Sequence, residues 1–264
     1  MRLRLDAIAC CALIAVPPPR QLSSSPPWST RQPPPRMNLF GDLFDNKLKR
    51  QKPPERPLLP SLVRTTPAIY QLQEKLFSLS GEDFQVKDLS GEIVISIEGS
   101  NVNLGGVVVD KLGFKDQRGV KFCSVERRII AATTCYDIYS ADGKKLLCKV
   151  EREWLSMTPK YQFYYEGDAN PFGDFYAEGS FSERAYTFKA GGLGGDTIAR
   201  VKRSPEVFKD VDTYAVEVAA GVDAAAILAV AVIIDEDHDE EDAKRGREGK
   251  PPLDKPQGGM WPFS

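Results

Sequence analysis

Gly221-Val-Asp-Ala-Ala-Ala-Ile-Leu-Ala-Val-Ala-Val-Ile-Ile-Asp235 sets the architecture of this chain. Residues 224–234 contain no polar side chain, so a helix here is apolar on every face. Asp223 is a good N-cap, and its charge suits the positive end of the helix dipole. At about 1.5 Å per residue these residues span only ~16 Å, against about 30 Å of bilayer hydrocarbon. Such a helix cannot cross a membrane alone and belongs inside a protein. Ile227, Leu228, Val230, Val232, Ile233 and Ile234 would each gain about 1.5–3 kcal/mol on burial. The interspersed alanines keep the rod slim. From Asp235 onward the acids oppose the dipole, which predicts that the helix stops there, giving a central helix over 223–235.

Before this helix the chain has a period of two. Ile93-Val94-Ile95-Ser96-Ile97, Tyr161-Gln162-Phe163-Tyr164-Tyr165 and Tyr214-Ala215-Val216-Glu217-Val218 are rich in β-branched and aromatic residues, with Gly, Asn and Asp between such runs. An internal repeat adds register. Phe84-Gln-Val-Lys-Asp-Leu-Ser-Gly91, Leu112-Gly-Phe-Lys-Asp-Gln-Arg-Gly119 and Tyr136-Asp-Ile-Tyr-Ser-Ala-Asp-Gly143 each read as strand, Asp/Ser-x-x-Gly turn, then a second strand. Glycine there supplies the positive φ of a tight hairpin. A weaker fourth copy covers 164–181, its longer turn ending at Gly173. Hairpins that surround one wholly apolar helix predict an all-β fold, a closed antiparallel barrel with the helix along its axis.

The repeated Asp-x-x-Gly turns (88–91, 116–119) and the segment 219–234, with the apolar stretch 76–79 before the first hairpin, resemble the LURP-one-related family. That family shares the Tubby C-terminal-like fold with Tubby proteins and phospholipid scramblases. The resemblance covers about residues 70–240 and implies about twelve antiparallel strands around a central helix. Unusual connectors near 103–109 and 191–195 mark a divergent member.

The flanks read differently. Thirteen of the 20 prolines lie within residues 1–67, which predicts little sheet or helix there. Residues 1–36 read as a targeting leader, with organellar import one outcome, or as a mis-assigned extension before Met37. Residues 37–66 form a Pro/basic-rich segment whose Leu39, Phe40, Leu43, Phe44 and Leu48 recur at helical spacing. The barrel is expected over 67–235. Residues 236–264 are expected to be an acidic, then polar, disordered tail, with His238, the single histidine, inside it. Residues 1–66 carry 11 Lys/Arg against 4 Asp/Glu, whereas 67–234 carry 19 against 24, so the expected domain is acidic and nucleic-acid binding is disfavoured. Single cysteines without CxxC pairs suit an intracellular protein, cytoplasmic or peripheral to a membrane.

Little chemistry stands out. Cys123, Cys135 and Cys148 lack a partner base, no zinc spacing occurs, and 191–195 matches neither a Walker nor a dinucleotide loop. No catalytic residue, metal or cofactor is expected. Basic residues recur near the hairpins: Lys111, Lys115, Arg118, Lys121, Lys144, Lys145, Arg200, Lys202 and Arg203. Resemblance to Tubby-like proteins implies a non-enzymatic binding role in which such a surface holds anionic membrane-lipid headgroups, phosphoinositides among them. The alternatives are a protein-interaction module in signalling or defence, and scramblase-like lipid transfer. Neither a transmembrane span in the mature domain nor a nucleic-acid partner is expected.

Overall fold

A computed structural model describes residues 48–74, 84–104, 107–130, 133–153, 160–166, 173–181, 184–191, 194–203 and 213–250. The amphipathic stretch at 39–44, the segment 76–79, the leader and residues 251–264 lie outside the described residues.

Twelve strands follow in order: β1 (Ala68–Glu74), β2 (Phe84–Asp88), β3 (Ile93–Leu104), β4 (Val107–Asp116), β5 (Lys121–Ile130), β6 (Thr133–Ser140), β7 (Leu146–Glu153), β8 (Lys160–Tyr165), β9 (Phe175–Ser180), β10 (Ala185–Ala190), β11 (Thr197–Lys202) and β12 (Thr213–Val218). Each pairs antiparallel with its sequence neighbour, and β1 pairs with β12, so the sheet closes into a barrel. Closure leaves no sheet edge with unpaired backbone groups. The period-two pattern directs Phe84 and Val86 of β2, Tyr161 and Phe163 of β8, and Tyr186 and Phe188 of β10 inward, all buried. The expected repeat is present as the hairpins β2–β3, β4–β5 and β6–β7. Their turn glycines, Gly91, Gly119 and Gly143, have φ of 84°, 75° and 72°, a region that side-chain-bearing residues avoid. In the first two turns the Asp-x-x-Gly spacing has a second purpose. Asp88 Oδ1 accepts Ser90 N–H at 2.8 Å, and Asp116 Oδ1 accepts Arg118 and Val120 N–H at 2.9 Å each.

The helix α1 (Ala224–Arg247) begins where β12 ends and runs inside the barrel. Residues 224–234 are at most 2% exposed and belong to one core with the inward strand residues. Ile227, Leu228, Val230, Val232 and Ile233 are completely covered, with Ile234 beside them. The enclosed rod is therefore as expected, but its end is not. The helix does not stop at Asp235; it continues to Arg247. Residues 236–247 are thus helical rather than a disordered tail, and His238 sits on that helix, half-buried. Barrel arginines neutralise the acids, and Lys244, Arg245 and Arg247 occupy the last turn, where positive charge suits the dipole.

The proline-rich segment 48–66 forms no strand, only one 3₁₀ turn at Pro60–Leu62. It is nevertheless a strap across the barrel end where the helix begins. Lys49 N–H reaches Thr197 O, Gln51 N–H reaches Ala220 O, and Gly221 N–H reaches Arg64 O, at 2.8–2.9 Å. Val63 pairs with Asp223, and Leu58 and Leu62 join the core. Gly221 has φ +81°, and a Cβ there would fall 2.0 Å from the Gln51 carbonyl oxygen, so only glycine lets the strap lie this close.

Candidate functional site

Three places concentrate charge. The first is the outer face of β4–β7 and its turns. Lys115 stands opposite Lys121 in the β4–β5 register. Because Gly113 has no side chain, Lys121 lies over it, with Cε 3.7 Å from where a Cβ would be. Lys111 Nζ reaches within 3.9 Å of the corresponding point at Gly143, in the turn that carries the exposed Lys144 and Lys145. Five of the nine candidate cations are thus neighbours, with Arg118 in the adjacent turn. Three of these six bind acids: Lys111 with Glu126, Lys115 with Glu98 at 2.7 Å, and Arg118 with Asp116 at 2.9 Å. Lys121, Lys144 and Lys145 form no ion pair among the described residues. Arg200 and Lys202 on β11, and Arg203 just beyond it, are elsewhere: β3, β2, β1 and β12 stand between β4 and β11. The nine cations are therefore not one patch. A strand-blind reading could not separate them, since the ring order is a tertiary property.

The second place is the far end of the axis, where α1 leaves the barrel. Asp237, 3% exposed, accepts Tyr136 Oη at 2.9 Å, Tyr161 Oη at 2.6 Å and an Arg152 guanidinium nitrogen at 2.7 Å. Arg152 also donates to Glu241 at 2.9 Å, Arg127 pairs with Glu240, and Arg184 donates to Asp235 at 2.8 Å while lying over the Tyr214 ring. Burial, and then the Asp237 charge, push the Tyr136 and Tyr161 hydroxyls far above their ordinary value, so both remain donors. This network is structural, and sequence reasoning missed it. A signal existed: Asp237, Glu240 and Glu241, at offsets of three and four, share a helix face.

The third place is the mouth at the helix start. Asp223, 2% exposed, accepts Leu58 N–H at 2.6 Å, Tyr165 Oη at 3.1 Å and the Ala225 and Ala226 N–H groups at 3.2 and 3.4 Å. Burial raises its carboxyl above the usual range, against the opposing pull of those donors. Beside it opens a cavity of about 580 Å³ between the strap and the ends of β7, β8, β9 and β11. The cysteines offer no nucleophile here, because burial pushes the thiols of Cys123 and Cys148 far up. Among the described residues no group of three His, Cys, Asp or Glu side chains could hold a metal ion.

A closed twelve-stranded antiparallel barrel around a C-terminal helix defines a protein of the Tubby C-terminal-like fold. The chain belongs to the LURP-one-related family, whose family model matches residues 68–235. Among solved structures, the chain is similar to an X-ray structure of an Arabidopsis thaliana protein, with a TM-score of 0.51 and 18% identity over 69% of this chain and 98% of that one. At that identity the likeness speaks for the fold alone. Comparison with curated proteins finds no match.

Proposed function

We propose that this LURP-one-related barrel is a non-enzymatic binding module that holds anionic membrane-lipid headgroups on the outer face of β4–β7. The observation that carries this reading is the group of Lys121, Lys144 and Lys145, cations with no acid partner among the described residues, beside Lys111 and Lys115. Pairs such as Lys115–Glu98 are solvent-exposed and hold only about 0–1 kcal/mol, so a phosphate can compete for them. The desolvated thiols of Cys123 and Cys148 favour binding over catalysis by cysteine. Scramblase-like insertion of α1 is opposed by its enclosure in the barrel, and no described helix is long and apolar enough to cross a membrane.

Liposome flotation with and without phosphoinositides tests the reading. Binding is expected to need the anionic lipid, to weaken with salt and to fall in the Lys121→Glu, Lys144→Glu double variant. Flotation indifferent to headgroup and salt would sink it.

A further inference from the structure

The cavity at the barrel mouth adjoins that outer face, with Lys145 common to both, and its lining specifies a ligand of its own. It is lined by the strap residues Lys52 and Arg56 and by Lys145 of the β6–β7 turn, all three exposed. None of the three forms an ion pair among the described residues. The acids at the mouth are differently placed. Asp223 is engaged by four donors, and Asp174 accepts Tyr165 N–H at 2.8 Å, so neither carboxylate is available to a ligand without losing a bond. Glu55 and Glu166 are the exposed acids of the lining. With Asp174 and Asp223 engaged, the remaining charges of the lining are Lys52, Arg56 and Lys145 against Glu55 and Glu166. Below this rim the wall is apolar: Leu146, Leu147 and Ala190 are half-buried above Phe175, Ile198 and Val222. A cavity of about 580 Å³ falls in the size range of small-molecule sites, which are mostly apolar with a few placed polar groups.

We infer that this cavity binds a monomeric anionic amphiphile, its phosphate or carboxylate held by Lys52, Arg56 and Lys145 and its hydrocarbon body lying on Leu146, Leu147 and Ala190. Since the strap supplies two of the three cations, the ligand fastens the strap to the barrel. The two sites share Lys145, but Lys52 and Arg56 belong to the cavity alone and Lys121 and Lys144 to the outer face alone, so the two readings separate by variant.

The full chain is titrated by calorimetry with dodecyl phosphate below its micelle concentration, and hydrogen exchange of 51–58 is followed in parallel. One molecule per chain is expected, with slowed exchange in the strap. Dodecyl maltoside, with the same tail and a neutral head, and inorganic phosphate, with no tail, should each bind at least about tenfold more weakly. The exposed pair Lys52→Glu, Arg56→Glu should lower dodecyl phosphate affinity by about tenfold or more without changing the melting temperature of the free protein. Ala190→Trp, which fills the cavity, should abolish binding. Lys121→Glu with Lys144→Glu should leave it unchanged. The inference is overturned if the maltoside binds as well as the phosphate, if the strap variant keeps full affinity, or if exchange in 51–58 does not respond.

Discussion

The Asp223 carboxylate receives the Leu58 N–H from the strap, the Tyr165 hydroxyl from β8 and two N–H groups from the first turn of α1. One residue thereby joins the strap, the barrel and the rod. Replacing it with alanine removes a helix cap, worth about 1–2 kcal/mol, and leaves the buried Leu58 N–H without an acceptor, about 1–3 kcal/mol more. Asp223→Ala should therefore lower the unfolding free energy by about 2–5 kcal/mol in denaturant titrations. The carboxyl also has a pH signature. Its folded pKa lies above the ordinary 3.8 because burial disfavours the charge, so the native state binds more protons than the unfolded state between those two values. The contribution is present at low pH and is lost as pH rises through the folded pKa. Wild type should lose stability relative to Asp223→Asn as pH rises from about 4 towards neutrality. A difference that grows in wild type's favour over that range would refute the assignment.

At the scale of elements, α1 has two halves stabilised by different physics. Up to Ile234 the stabilisation is burial: Leu228 is fully covered, so Leu228→Ala should cost about 2–5 kcal/mol through lost contacts and the cavity left behind. A lysine at Val230 should prevent soluble folding, because its charge has no partner inside the barrel. Beyond Asp235 the helix persists through ion pairing. Breaking the buried Arg152–Asp237 pair by Arg152→Ala should cost up to about 3–5 kcal/mol, since buried Asp237 keeps only its two tyrosine donors and Arg127 at 3.8 Å. The double replacement Arg152→Met, Asp237→Leu should recover part of that loss, which a double-mutant cycle measures. Full additivity in that cycle would mean that the pair is not coupled.

For the whole molecule, the folding unit is larger than the family-matched region 68–235. Cutting at those limits deletes Leu58, Leu62 and the Leu58 N–H at one end of the axis, and Asp237, Glu240 and Glu241 at the other. At one mouth Asp223 would lose its Leu58 donor, and at the other Arg152 would lose Asp237 and Glu241, and Arg127 would lose Glu240. A fragment of residues 48–250 should melt well above one of residues 68–235 in matched thermal scans. Equal melting temperatures would show that strap and helix extension are ornaments.

Local physics made much of this legible. The eleven residues of 224–234 have no polar face to show water, so they had to be enclosed, and three Asp/Ser-x-x-Gly spacings each required a hairpin with glycine at positive φ. Alternation along β2 and β8 told which side chains point inward. The amino-acid order alone therefore determined a helix wrapped by hairpins. Three things were decided only in space: that α1 outruns its apolar stretch, that a proline-rich segment closes the mouth, and that Lys121 and Lys144 share a face from which Arg200 is absent. Each depends on partners distant in sequence, such as Arg152 for Asp237 and Leu58 for Asp223, 85 and 165 residues apart. A charge's neighbours are set by the closed ring of strands, and no pattern read along one segment carries that information.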